Sequence, residues 1–211
     1  METSSVYGGQ IKKRNHNEDK SGIINTEADM KASVYIATTL DGFIARENGE
    51  LDWLPGSEGE ATGEGIVEDH GFNAFFDSVD VLVMGRKTYQ FVVSSEQWFY
   101  GDKRVVVLST TLPGIAPNLP ATVQLRRDSP AELYRALEKE GVKHLYIDGG
   151  KTIQGFLEAG LIDEIIITRI PVLIGSGIPL FGALAQDITL RHIKTHSFDN
   201  GLVQSQYAVT G

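Results

Sequence analysis

Twice in this sequence an apolar, β-branched run breaks at glycine and passes directly into a stretch with helical spacing. Val79 to Val83 leads into Met84-Gly85-Arg86-Lys87-Thr88, and Leu145 to Ile147 leads into Asp148-Gly149-Gly150-Lys151-Thr152. At such a junction glycine lets the backbone come close to a ligand, and the unpaired amides of the helix start point at an anion. A glycine chosen only for its positive φ would give the same local pattern. These two junctions also carry Arg86, Lys87 and Thr88 in one and Lys151 and Thr152 in the other, which a plain turn does not require. Together they predict a site for a ligand with several phosphates. The sequence has neither a complete Walker A run nor a G-x-G-x-x-G after its first strand, which argues against a P-loop NTPase and a standard Rossmann domain.

From Met30 onward strand and helix patterns alternate, which predicts an α/β fold: a central mixed sheet, mostly parallel, with flanking helices. Strands are expected at 32–39, 79–84, 104–109, 122–126, 143–147, 164–171, 188–197 and 202–208. The last two flank Phe198-Asp199-Asn200-Gly201, where Asn-Gly signals an antiparallel C-terminal hairpin. Helices are expected at 67–78, 88–93, 130–140 and 151–159. The third is the best marked: Ser129 supplies an N-cap, Pro130 sits at N1, Glu132 lies in the first turn and Gly141 closes the end. Residues 1–29 form a polar extension with no helical or strand period, whose removal is expected to leave the 30–211 domain intact.

The sequence is long enough for one domain with a sizeable core, at 211 residues and 41% hydrophobic content. Cysteine is absent, which removes disulfides, thiolate catalysis and cysteine-ligated zinc, and the five histidines form no compact metal motif. A formal net charge of -9 argues against nucleic acid as a partner. No apolar run reaches the roughly 18 residues of a membrane span, so no membrane partner and a cytoplasmic location are expected.

Several short motifs in one order resemble the dihydrofolate-reductase-like superfamily. They are Asp41-Gly42-Phe43-Ile44-Ala45, Val83-Met84-Gly85-Arg86-Lys87-Thr88-Tyr89, Leu108-Ser109-Thr110, Asp148-Gly149-Gly150, Gly160-Leu161-Ile162-Asp163-Glu164 and the run from Pro171 to Phe181. Within the superfamily the chain looks most like the reductase domain that ends bacterial riboflavin-biosynthesis deaminase-reductases, in stand-alone form. The resemblance implies NADPH as hydride donor. Gly85, Arg86, Lys87 and Thr88 would face the pyrophosphate and the 2′-phosphate, and Leu108, Ser109 and Thr110 the adenosine end. Gly149, Gly150, Lys151, Thr152 and Ile153 would hold the nicotinamide-side phosphate, and Ala37 and Ile44 would line the nicotinamide. It also implies a cis peptide at Asp148-Gly149 or its neighbour. Arg126 and Arg127, at a strand end, are candidates for a second grip on the 2′-phosphate, or for an ordinary solvated strand end.

A proton source is needed beside the hydride. Counting back from Met84-Gly85, the resemblance places Asp69 where dihydrofolate reductases carry an acidic residue. In an apolar cleft with Phe72 and Trp53 its carboxyl would be held protonated; the alternative is an acid serving only the helix start, and Glu68 is its neighbour. Folate enzymes carry an arginine clamp where Lys103 stands here, and lysine lacks that fork. Dihydrofolate turnover is therefore expected to be weak.

The readings in order are an NADPH-dependent reductase acting on a small heterocyclic or ribosylamino-pyrimidine-like molecule, a divergent dihydrofolate reductase, and a dinucleotide-binding protein without turnover. A homodimer is expected, paired through the apolar region from Ile165 to Ile178 and on through Leu184, unless helices of the same subunit cover it.

Overall fold

The computed structural model describes residues 30–55, 69–95 and 97–210. The expectation for the 1–29 extension lies outside them. The chain order is β1 (Lys31–Thr39), β2 (Phe43–Ala45), α1 (Phe72–Ser78), β3 (Val81–Gly85), α2 (Arg86–Ser94), β4 (Arg104–Leu108), β5 (Val123–Arg126), α3 (Pro130–Lys139) and β6 (His144–Asp148). It continues with α4 (Gly150–Glu158), β7 (Glu164–Ile170), β8 (Ile178–Pro179), β9 (Leu190–Ser197) and β10 (Val203–Val209). Eight strands make one sheet in the order β5-β4-β3-β6-β1-β7-β10-β9, parallel from β5 to β7 and antiparallel through β10 and β9.

The alternation of side chains along the strands divides the core. Val83, Val106, Leu145, Ile147 and Ile165 face α3 and α4, whose Leu133, Leu137, Ile153 and Phe156 are buried against them. Leu82, Met84, Val105, Val107, Tyr146 and Ile166 face the other way, onto Phe75 of α1 and Tyr89 of α2. Both faces of the central strands are covered, and their sequences are accordingly continuous apolar runs. The helix start expected at Ser129 is present as a capping box: the Ser129 hydroxyl accepts from the Glu132 amide, and the Glu132 carboxylate accepts from the Ser129 amide.

Some boundaries differ from expectation. Helix α1 starts at Phe72, because His70 (φ 53°) and Gly71 (φ 86°) are left-handed and interrupt any helix entering from upstream. The short β2–β8 ribbon follows the turn after β1 and was not legible as strands. No cis peptide occurs among the described residues; Gly149 turns the chain with φ 88° and ψ 135° across trans bonds. The apolar residues of β7 are covered within the chain, with Ile165, Ile166, Ile167 and Ile170 all buried. What remains open beyond β7 is Leu173, 68% exposed, with Ile178, Phe181 and Leu184.

Candidate functional site

Parallel strands end at one edge of the sheet, and the two glycine junctions meet there. Met84 pairs with Asp148 and Gly85 with Leu108, so β3, β6 and β4 finish in register. Helix α2 leaves from Gly85 and helix α4 from Gly149, and neither has a side chain capping its first amides. Those amides are free to bind an anion.

The junctions interlock. A Cβ on Gly149 would lie 2.5 Å from Thr88 Oγ1 and 3.8 Å from the Gly85 amide nitrogen. A Cβ on Gly85 would lie 2.6 Å from Thr152 Oγ1, and one on Gly150 would lie 2.7 Å from Ile44 Cδ1. Each glycine is thus closely approached by a side chain of another motif, and Gly149 is required by its backbone angle. The result is a backbone cradle flanked by exposed Arg86, Lys87 and Lys151. Ala37 is half-buried on β1, two strands from β3, and Ile44 packs against the α3–α4 side of the core. Leu108 ends β4 beside Gly85. An anionic dinucleotide fits this donor set and this cradle.

The loop after β4 is organised from within. Ser109 Oγ accepts from the amides of Thr111 (3.2 Å) and Leu112 (3.1 Å). Arg127 donates to the carbonyls of Thr110 and Leu112, both at 2.8 Å. Arg126 is paired with Asp128 at 2.8 Å. Arg127 thus holds the loop that carries Ser109 and Thr110, while Arg126 is engaged by Asp128. Arg86 reaches the same loop by donating from Nη1 to Thr111 Oγ1 at 2.8 Å, and its other donors face outward from an exposed position.

Two expected site residues are corrected. Ile153 is completely buried in the core, and its amide donates to the Gly149 carbonyl, so it offers nothing to a ligand. Asp69 does not sit in an apolar cleft. It is exposed just before α1, where its carboxylate accepts from the amides of Gly71 (2.9 Å) and Asn73 (3.1 Å). These two bonds hold its carboxyl below the ordinary range, the Gly71 amide foremost, so it is ionised and serves the helix start.

A carboxyl with raised proton affinity stands elsewhere, at Asp148. It ends β6 at the centre of the sheet, on the same side as Tyr146, and burial pushes it up to about 6, offset only in part by the Gly149 amide. Tyr100 and Tyr146 feel its charge, and burial with that charge raises both hydroxyls. The sequence carried a signal for this burial: Asp148 closes an apolar run immediately before the Gly pair, a position where a carboxyl has little water. Asp41 has a structural task. Its carboxylate accepts from the Thr39 hydroxyl (2.5 Å) and from the amides of Ile174 (3.1 Å) and Gly175 (2.8 Å), tying the turn after β1 to the loop after β7.

The wall beside Asp148 is aromatic. Phe72 and Phe76 of α1 stack at 5.5 Å, Phe72 meets Tyr146 at 6.3 Å and Phe76 meets Tyr100 at 5.9 Å. Lys103 meets this wall at Phe76: Nζ donates to the Val79 carbonyl at 2.7 Å and lies 4.9 Å from the centre of the Phe76 ring. A carbonyl bond and a cation–π contact together are worth about 1–2 kcal/mol, more than the roughly 0–1 kcal/mol of an exposed ion pair. A cavity of about 540 Å³ lies elsewhere, toward the opposite strand ends, with Lys31, His144 and Glu164 in its lining. It is not the glycine cradle.

A mostly parallel sheet with an antiparallel C-terminal hairpin, and an anion cradle at the parallel strands' carboxyl edge, define a dihydrofolate-reductase-like protein. The sequence matches the RibD C-terminal domain family over residues 31–204, and the chain belongs to that family. It is 35% identical over 181 residues to the uncharacterized protein YwjB of Bacillus subtilis, covering 85% of this chain and 98% of that protein. A crystal structure of a Shewanella sp. PV-4 protein assigned to riboflavin biosynthesis is 40% identical, with a TM-score of 0.78 over 86% of this chain and 100% of that one. The Thermotoga maritima diaminohydroxyphosphoribosylaminopyrimidine deaminase/5-amino-6-(5-phosphoribosylamino)uracil reductase shares the fold. It is 14% identical, with a TM-score of 0.60 over 86% of this chain and 57% of that one.

Proposed function

We propose that the chain is an NADPH-dependent reductase, similar in its chemistry to 5-amino-6-(5-phosphoribosylamino)uracil reductase, that transfers a hydride to a small heterocyclic or ribosylamino-pyrimidine-like molecule in the cytoplasm. The observation that carries this reading is the placement of a half-buried carboxyl, Asp148, immediately beside two interlocked anion-binding junctions. Gly85 to Thr88 and Gly149 to Thr152 would hold the dinucleotide phosphates, and Ala37 and Ile44 would border the nicotinamide. The bound cofactor supplies the hydride. Asp148 exchanges a proton close to neutral pH, which suits a group that must protonate a reduced C=N or C=O and recover its proton from solvent. Arg86 selects NADPH over NADH through its unused guanidinium donors.

Titration of both cofactors by fluorescence tests the assignment. Wild-type protein is expected to prefer NADPH. Loss of a charge-assisted bond worth about 1.5–3 kcal/mol in Arg86→Ala predicts a roughly 10- to 150-fold weaker NADPH complex. Equal affinities for the two cofactors, or an unchanged Arg86→Ala, would remove it.

A further inference from the structure

We infer that Thr111 is a positioning residue for the choice of cofactor: it fixes Arg86 by one nitrogen so that the rest of the guanidinium stands ready for a phosphate monoester, the group that separates NADPH from NADH. This rests on the reductase reading above and adds a residue that acts through Arg86. Arg86 opens α2, is exposed, and donates from Nη1 to Thr111 Oγ1 at 2.8 Å. Two other arginines of the chain show what the remaining edge can do. Arg46 and Arg126 each grip a carboxylate through Nε and Nη2, at 2.6 and 2.8 Å on Asp52 and at 2.8 and 3.2 Å on Asp128. In Arg86 that Nε–Nη2 fork meets no acceptor among the described residues. Such a fork matches two oxygens of one phosphate.

An unrestrained arginine has to be ordered when its ligand arrives, and that cost weakens binding. Thr111 removes part of it only if Thr111 is itself fixed, and the loop is braced on both sides of this residue. Ser109 Oγ accepts from the amides of Thr111 and Leu112, Arg127 donates to the carbonyls of Thr110 and Leu112, and the Leu112 side chain is buried. Beyond it, the Ala116 amide donates to the hydroxyl of Tyr89, a buried residue of α2. The loop after β4 is thereby tied to the helix that begins with Arg86. The acceptor is also neutral, so the arginine keeps its full charge for the ligand, which a carboxylate partner would cancel.

Fluorescence titration with NADPH and NADH tests this on Thr111→Val and Thr111→Ala, which remove the hydroxyl with and without keeping the branched shape. Thr111→Ser is the rescue, and melts check that each variant folds. Both hydroxyl-free variants are expected to bind NADPH roughly 3- to 10-fold more weakly, the range of one lost hydrogen bond, with NADH affinity unchanged and Thr111→Ser close to wild type. In an Arg86→Ala background the same changes should have no further effect. Before any cofactor is added, NMR relaxation at Arg86 Nε should report a rigid side chain in the wild type and a mobile one in Thr111→Val. Unchanged NADPH affinity in the hydroxyl-free variants overturns the inference. So does an equal loss for both cofactors, a loss that persists without Arg86, or an Arg86 side chain as mobile in the wild type as in Thr111→Val. Each of these leaves NADPH binding, and with it the reductase reading, in place. Failure of the wild type to bind NADPH, or to prefer it, removes that reading and the inference with it.

Discussion

Replacing Asp148 by asparagine should make the protein more stable and less active. The carboxyl ends β6 at the sheet centre and sits at about 6 instead of its ordinary 3.8. At about 1.4 kcal/mol per pH unit, this difference disfavours the folded ionised form by up to about 3 kcal/mol. Asp148 retains some contact with solvent, so a realised figure of about 1–3 kcal/mol is expected. The sign follows from proton binding. Between pH 4 and 6 the folded chain holds the proton that the unfolded chain releases, so this group's stabilisation is complete below about 3.8 and is lost as pH rises through about 6. Asparagine keeps an oxygen for the Gly149 amide and does not titrate. Thermal melts of both proteins from pH 4 to 8 should show Asp148→Asn higher by roughly 2–10 °C at pH 7.5, with the gap closing toward pH 4. Turnover should fall about 10²- to 10⁴-fold with NADPH affinity retained. A gap that is absent at pH 7.5, or equal at both ends of the range, would refute the claim that burial strains this carboxylate.

The cradle predicts that Gly149→Ala loses NADPH binding and costs about 1–3 kcal/mol, because it forces a side chain into φ 88° and onto Thr88 Oγ1; calorimetry and denaturant melts check both. Asp69→Ala should lower the melting temperature by unfastening the start of α1 while leaving the pH dependence of turnover unchanged, in contrast to Asp148→Asn. A homodimer through the exposed residues beyond β7 is proposed: light scattering should show a dimer that Leu173→Asp dissociates, and a monomer at every concentration would sink it. Leu173 is the clean probe, since a charge at buried Ile170 would disrupt the fold itself.

The sequence by itself determined the eight strands of the main sheet, the capped third helix and the closing hairpin, because each depends on neighbours within a few residues. Continuous apolar runs mark strands buried on both faces, Ser129 with Glu132 closes its own cap, and Asn200-Gly201 turns the chain locally. The glycine junctions were legible for the same reason. Tertiary structure alone decided what lies across from what. That Gly149 is pressed by Thr88 and Gly85 by Thr152 follows from β3 and β6 being neighbours, although some sixty residues separate them in the chain. Burial is likewise a property of the assembled sheet: it lifts Asp148 toward neutrality and sinks Ile153 into the core, while Asp69 is left in water holding two amides. A carboxyl's proton affinity is set by the water and charges around it, and those are fixed only when distant strands come together.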